Sequence, residues 1–130
     1  IADGVHVSPN ILRLTAAVKG PDGVVLVTDS VQHHQQAWNL HRSGGAYRSR
    51  RGVLAGSALT MIGAVQNMVR LAGVPLAQAV AMATQNPAAL IGCSRTRGTL
   101  APGARADLVS FDEAFRVCLT MIGGRVVEPR

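Results

Sequence analysis

The feature that most constrains this chain is a short apolar run, Val24 to Thr28, that ends at a single carboxylate, Asp29. A run of this length, rich in β-branched residues, is typical of a strand that is buried on both faces. An ionised carboxylate at the end of a buried strand costs free energy unless it is paired, hydrogen-bonded or close to a metal. We therefore interpret Asp29 as a candidate catalytic residue.

A helix is predicted immediately before that strand. Ser8 and Pro9 are typical of an N-cap and a first helical residue, and apolar residues follow at helical spacing until Gly20 ends the helix. His6 lies in the loop that leads into this helix. Alternating helices and strands indicate a parallel sheet, whose active groups gather where the strands end. We expect His6 and Asp29 to lie at the same rim.

The composition favours a soluble α/β protein. Hydrophobic residues make up 48% of the 130 residues and aromatic residues 3%. These values suit helices packed on a parallel sheet and exclude a disordered chain or an aromatic platform for single-stranded nucleic acid. The longest nearly apolar stretch, residues 53–65, is shorter than the ~20 residues of a membrane span. We expect a cytoplasmic protein that does not bind membranes.

The chain has a net charge of +6, and one basic segment contains Arg42, Arg48, Arg50 and Arg51. Such a cluster can bind phosphate or nucleic acid. Tyr47 is the only aromatic residue within it and no groove-binding motif accompanies it, so a nucleic-acid role is not favoured. We interpret residues 30–53 as an irregular basic loop whose arginines meet an anionic substrate or a neighbouring subunit.

Two further helices are predicted in the middle of the chain. The first ends at Gly73 and can be capped by Ser57 or Thr60. The second starts after Pro75 and is broken by Asn86–Pro87. In the segment before the first helix, Gly56 either permits a tight turn or allows a ligand to approach the backbone closely, and spacing alone does not separate these two interpretations.

The end of the chain predicts a small antiparallel β-unit. Residues 106–111 and 115–122 form candidate strands, and Gly123–Gly124 is a hairpin turn into residues 125–127. Cys93 and Cys118 have the spacing of neither a disulfide framework nor a zinc site, so we interpret them as small buried residues.

Seven segments, taken in order, carry a family resemblance. They are Asp-Gly-Val-His-Val at 3–7, Leu-Val-Thr-Asp at 26–29, Leu-Ala-Gly-Ser-Ala-Leu-Thr-Met at 54–61, Asn-Pro-Ala at 86–88, Gly-Thr-Leu-Ala-Pro-Gly at 98–103, Ala-Asp-Leu-Val at 106–109 and Gly-Gly-Arg-Val-Val at 123–127. Over nearly the whole chain the pattern closely resembles the carboxy-terminal third of the N-acetylglucosamine-6-phosphate deacetylase family, within the amidohydrolase superfamily. The first and third segments resemble the deacetylases in particular.

The resemblance implies a fold and a reaction. The fold is the carboxy-terminal part of a metal-dependent (β/α)8 barrel, incomplete in this chain, with residues 1–92 in the barrel and residues 93–130 in a small β-domain. The reaction, in the intact enzyme, is hydrolysis of N-acetylglucosamine 6-phosphate to glucosamine 6-phosphate and acetate. We expect this chain alone to be inactive.

The resemblance also implies roles for individual residues. Asp29 matches the carboxylate that takes a proton from the attacking water and later delivers it to the departing amine. His6 matches a histidine that contacts the phosphorylated sugar. The other implied substrate-binding residues are Asp3, Gly4, Val5, Leu54, Ala55 and Gly56, of which the last three match a loop that closes on the substrate.

A divalent metal, zinc, is implied as cofactor, and the resemblance assigns its ligands to residues upstream of this chain and none to the chain itself. His33, His34 and His41 follow the catalytic strand, and the adjacent pair His33 and His34 points in divergent directions on most backbones. They are therefore poor candidates for a shared set of metal ligands.

An incomplete barrel would leave apolar faces without cover, on the side chains of Ile62, Val65, Val69, Leu76 and Val80. We expect a homo-oligomer or contact with the missing amino-terminal portion of the same enzyme. Two alternatives remain. One is another amidohydrolase, dihydroorotase-like or deaminase-like, and the other is a non-catalytic remnant whose arginine loop binds an anionic partner.

Overall fold

The computed structural model describes residues 1–30 and 41–127. These residues form four helices, a short 3₁₀ turn at Pro21–Gly23 and two three-stranded antiparallel sheets. The helices are α1 (Pro9–Lys19), α2 (Met61–Ala72), α3 (Leu76–Ala83) and α4 (Gln85–Leu90). The strands are β1 (His41–Ser43), β2 (Ala46–Arg48), β3 (Leu54–Ser57), β4 (Leu108–Phe111), β5 (Val117–Ile122) and β6 (Arg125–Val127).

Helix α1 confirms the helix predicted after Ser8. Its start differs in one detail, because the Ser8 side chain makes no capping hydrogen bond. Instead the Ser8 carbonyl accepts from the backbone N–H of Leu12 at 3.0 Å, and Pro9 supplies a first-turn residue that needs no N–H partner. Leu12 is the buried residue of the helix. Gly20, with φ of 70°, ends it as predicted.

The strand predicted at residues 24–28 is wrong for the described chain. Leu26 is buried, but its backbone N–H donates to the Met82 carbonyl at the end of α3, at 2.9 Å. Parallel pairing is limited among the described residues to one bridge between Ser30 and Ser57. No strand pairs with residues 24–28 within the described part of the chain, and the barrel to which the predicted strand would belong stays a prediction.

Helix α2 forms the centre of the core. Thr60 caps it by accepting from the backbone N–H of Gly63 at 3.1 Å, and Gly73 closes it in the left-handed conformation. Its buried side chains include Val65, which we had expected to lie uncovered. Of the residues expected to be uncovered, Leu76 alone is exposed, whereas Ile62, Val69 and Val80 are half-buried.

The break between α3 and α4 occurs at Thr84 and not at Asn86–Pro87. Proline is tolerated in the first turn of a helix, so Pro87 fits inside α4. The Asn86 amide donates to the carbonyls of Pro21 and Val24, each at 2.7 Å. This side chain therefore ties α4 to the segment that leads towards Asp29.

Part of the predicted irregular basic loop is regular. Strands β1 and β2 form a hairpin around Gly44–Gly45, and β2 pairs with β3. The strands are short and polar, so they lack the apolar alternation by which a strand is recognised in a sequence. His33 and His34 lie outside the described residues.

The terminal β-unit confirms the prediction, with β4 pairing antiparallel to β5 and β5 to β6. Phe115, in the β4–β5 connection, packs against the core. The guanidinium carbon of Arg70 lies 5.7 Å from the centre of the Phe115 ring, which connects this sheet to α2. None of the helices in residues 1–30 and 41–127 is long and apolar enough to cross a membrane.

Candidate functional site

The loop at residues 3–6 is organised by one carboxylate. Asp3 Oδ1 accepts from the backbone N–H groups of Val5 and His6, each at 2.9 Å. Asp3 Oδ2 lies 2.6 Å from Nδ1 of the His6 ring. The Asp3 side chain is 2% exposed and the His6 side chain 18% exposed. The loop therefore presents part of an imidazole and conceals the carboxylate behind it.

The pKa of Asp3 is lowered from its ordinary value of 3.8. Burial by itself raises this pKa, but hydrogen bonds from the His6 side chain and from the backbone N–H groups of Val5 and His6 lower it more, together with the charge of His6. Asp3 is thus ionised at neutral pH and can only accept hydrogen bonds. It follows that the protonated Nδ1 of His6 is the donor in the hydrogen bond between the two groups.

Helix α2 anchors this loop at two points. The Asn67 amide donates to the Ala2 carbonyl at 2.8 Å, and Ala2 is fully buried. Gly4 has φ of 73°, and a Cβ there would lie 3.2 Å from Leu71 Cδ1. Both the backbone conformation and the close approach to α2 favour glycine at this position.

Asp29 lies at the junction of its segment with β3. Its carbonyl accepts from the backbone N–H of Ser57 at 3.1 Å, beside the parallel bridge between Ser30 and Ser57. Asp29 is exposed and has φ of 52°, uncommon for a residue other than glycine. The prediction that the Asp29 carboxylate lies at the end of a buried strand is therefore wrong. Within the described residues no hydrogen bond or ion pair engages this carboxylate.

The segment Leu54–Gly56, expected as a loop, belongs to strand β3. Its register with β2 shifts between Ala46, paired with Ser57, and Arg48, paired with Leu54. One extra residue on β3 forms a bulge in which Gly56 has φ of 132°. Glycine is accordingly required by backbone conformation at this position, and close approach of a ligand remains a prediction.

The described structure joins these pieces through β3 and α2. Strand β3 holds Asp29 by hydrogen bonding and leads into α2, which in turn anchors the loop of Asp3 and His6. In the described part of the chain no hydrogen bond or ion pair connects His6 directly to Asp29, so their shared rim also remains a prediction.

Sequence reasoning did not identify two of the supporting residues. Ser57 is predicted as a possible cap of α2, yet it is fully buried, and its hydroxyl accepts from the backbone N–H of Leu59 at 3.0 Å. The second of these residues is Asn67. Its signal was an amide between Val65 and Met68 on the apolar side of an amphipathic helix, where a polar group needs a partner.

The basic hairpin presents its charged groups in cross-strand pairs. His41 lies opposite Arg48, and Arg42 lies opposite Tyr47. Arg48 donates to the Gly52 carbonyl at 2.9 Å. His41 and Arg42 are exposed, as are Arg50 and Arg51 in the turn that follows. The arrangement is a solvated basic surface on the strands adjoining β3.

The described residues do not fit a metal centre by themselves. No group of three or more His, Cys, Asp or Glu side chains in residues 1–30 and 41–127 could hold an ion. A metal would need ligands in addition to these residues.

Residues 1–127 match the Amidohydrolase family, and the chain belongs to that family. Its members generally depend on divalent metals. Among the relatives, an Escherichia coli K12 protein is 36% identical over 97% of this chain and 80% of its own length, and carries the name N-acetylgalactosamine-6-phosphate deacetylase provisionally. The N-acetylglucosamine-6-phosphate deacetylase of Bos taurus is 34% identical over 98% of this chain.

The crystal structure of N-acetylglucosamine-6-phosphate deacetylase from Pasteurella multocida matches 98% of the chain with a TM-score of 0.87 and 30% identity. The recognised resemblance to deacetylases is thus confirmed in sequence and in fold. The chain spans 33% of the bovine relative and 36% of the Pasteurella structure.

Proposed function

We propose that the protein takes part in deacetylation of N-acetylglucosamine 6-phosphate, giving glucosamine 6-phosphate and acetate. The observation that carries this proposal is the match to N-acetylglucosamine-6-phosphate deacetylase, over 98% of the chain, in both sequence and structure. The exposed carboxylate of Asp29, held at its backbone by β3, supplies a group suited to the chemistry.

In the proposed reaction the oxygen of a water molecule bonds to the acetyl carbon and the amide C–N bond breaks. The Asp29 carboxylate accepts a proton from that water and donates it to the departing nitrogen, so that acetate and a free amine leave. His6 contacts the sugar phosphate, and residues 54–56 lie beside it.

The proposed cofactor is a divalent metal, zinc, with ligands outside residues 1–130. Residues 1–130 are proposed to be inactive when isolated, because they span only 33% of the bovine relative and 36% of the Pasteurella structure. The proposed partners are the rest of the barrel or further copies of the chain. The proposed location is the cytoplasm, where phosphorylated sugars are metabolised.

N-acetylgalactosamine 6-phosphate is the second candidate substrate. It is favoured by the 36% identity to the Escherichia coli K12 relative that is named for that sugar. The identity to the bovine N-acetylglucosamine-6-phosphate deacetylase is 34%. The two sugars differ at one hydroxyl stereocentre, so the same Asp29 chemistry serves both.

The test replaces Asp29 in the natural polypeptide that contains these residues, supplied with zinc. Asp29→Asn should lower the rate of acetate release from both sugars by about 10²- to 10⁴-fold, because the amide cannot accept the proton. Asp22→Asn makes the same chemical change in the exposed 3₁₀ turn and should leave the rate unchanged. Unchanged turnover in Asp29→Asn would remove Asp29 from the mechanism.

The same assay separates the alternatives. A dihydroorotase-like or deaminase-like enzyme would release no acetate from either sugar. A remnant with an anion-binding hairpin would release none either, but would bind polyanions in a salt-sensitive way that Arg48→Gln and Arg50→Gln weaken.

A further inference from the structure

The two oxygens of the Asp3 carboxylate make different kinds of contact. Oδ1 accepts the backbone N–H groups of Val5 and His6, which is the pattern of a local turn. Oδ2 meets the His6 ring at 2.6 Å. With 2% of the side chain exposed, Asp3 has no free surface for a substrate.

The ring of His6 is correspondingly asymmetric. The Nδ1–H group donates a hydrogen bond to the Asp3 carboxylate, so Nε2 is the ring nitrogen that remains for another partner. The remaining exposure of the side chain, 18%, allows contact over only part of the ring. The anchors from α2 at Ala2 and beside Gly4 fix the backbone that carries both residues.

We propose that Asp3 is a positioning residue, which fixes the orientation and tautomer of His6 so that Nε2 meets the phosphorylated sugar. This replaces our expectation that Asp3 contacts the substrate itself. The inference rests on the proposed function, since it assigns a role within the same site.

A structural role alone does not account for the carboxylate. The turn uses only Oδ1, and an asparagine side chain carries an oxygen that can make the same two bonds. The second oxygen is needed only for the ring. The lowered pKa of Asp3 agrees with an ionised acceptor facing Nδ1–H.

The Asp3→Asn variant separates these two contacts. Asparagine keeps the acceptor of the turn but places an NH₂ group against Nδ1, so the ring should move its proton to Nε2. ¹⁵N NMR of the histidine ring nitrogens in the natural polypeptide reads this change directly. The wild type should show a protonated Nδ1 and the variant a bare Nδ1.

Kinetics provide the second measurement. Asp3→Asn should raise KM for the sugar phosphate about tenfold with little change in kcat, because the lost contact exists in both ground and transition states. If Asp3 acts through His6, adding Asp3→Asn to a His6→Gln variant should cause no further change. An equal increase in KM in that background would overturn the positioning role.

The outcomes distinguish this inference from the proposed function. Failure of the wild type to release acetate from either sugar would refute the proposed function and, with it, the substrate contact. A bare Nδ1 in the active wild type, or ring signals that Asp3→Asn leaves unchanged, would overturn the role of Asp3 alone. Neither NMR result depends on whether the variant retains activity.

Discussion

The glycines of the chain differ in how much space surrounds the position of a Cβ atom. Gly98 has φ of 76°, and a Cβ there would lie 2.6 Å from the Thr84 carbonyl oxygen and 3.0 Å from Ala88 Cβ. Gly92 has a similar φ of 74°, but nothing lies within 4 Å of its Cβ position. Gly98 therefore combines an unusual conformation with close packing of the terminal region on the α3–α4 junction.

This comparison gives a matched pair of substitutions. Gly92→Ala should cost about 1–2 kcal/mol of unfolding free energy, from backbone strain. Gly98→Ala should cost about 2–5 kcal/mol, because the Thr84 backbone must also move. Urea denaturation of the natural polypeptide measures both. Equal midpoints for the two variants would contradict the close approach at Gly98.

Helix α2 connects the two parts of the candidate site, since it follows β3 and anchors the Asp3 loop. Its cap can be removed by Thr60→Ala, which should destabilise the protein by about 1 kcal/mol. Ser8→Ala at the start of α1 is the control. It should lower the free energy of unfolding by only about a few tenths of a kcal/mol, because Ser8 makes no side-chain capping bond. Thermal unfolding compares them, and a larger loss in Ser8→Ala would contradict the assigned caps.

The elements that the sequence predicted correctly were those with local signals. Helix α1 has a start residue, an apolar period and a terminal glycine, and the last hairpin has Gly123–Gly124 between apolar strands. Residues 24–28 have an equally clear apolar pattern, but their hydrogen-bond partners are distant in sequence and no local rule reveals them. The hairpin at residues 41–48 contains too few apolar residues to be recognised from the sequence.

The candidate site divides in the same way. Asp29 and His6 could be identified from the sequence because a carboxylate at the end of an apolar run and an imidazole in the loop before a helix are groups that suggest chemistry. The exposure of Asp29 and the concealment of Asp3 depend on how the chain folds around them. The contact between Asp3 and His6 lies within one local turn, so its spacing was visible, whereas the support from Asn67 joins residues 65 positions apart.

The described structure leaves an apolar stripe exposed on the outer side of α1. Ile11, Leu14 and Val18 are 50%, 57% and 72% exposed, while Leu12 faces the core. Exposed apolar surface on a single stripe favours association with another surface. The expected partners are a second copy of the chain or the remainder of the barrel, and the stripe makes the first of these testable.

Residues 1–130 alone should therefore self-associate through α1. Leu14→Lys combined with Val18→Lys should shift the sedimentation profile towards monomer, because two charges cannot be buried unpaired in an apolar contact. Asn10→Lys combined with Ala17→Lys adds the same charge to exposed positions of the same helix and leaves the stripe intact, so it should associate as the parent does. Equal dissociation by both pairs would indicate charge repulsion between +6 chains as the cause, and a monomeric parent would contradict the role of the stripe.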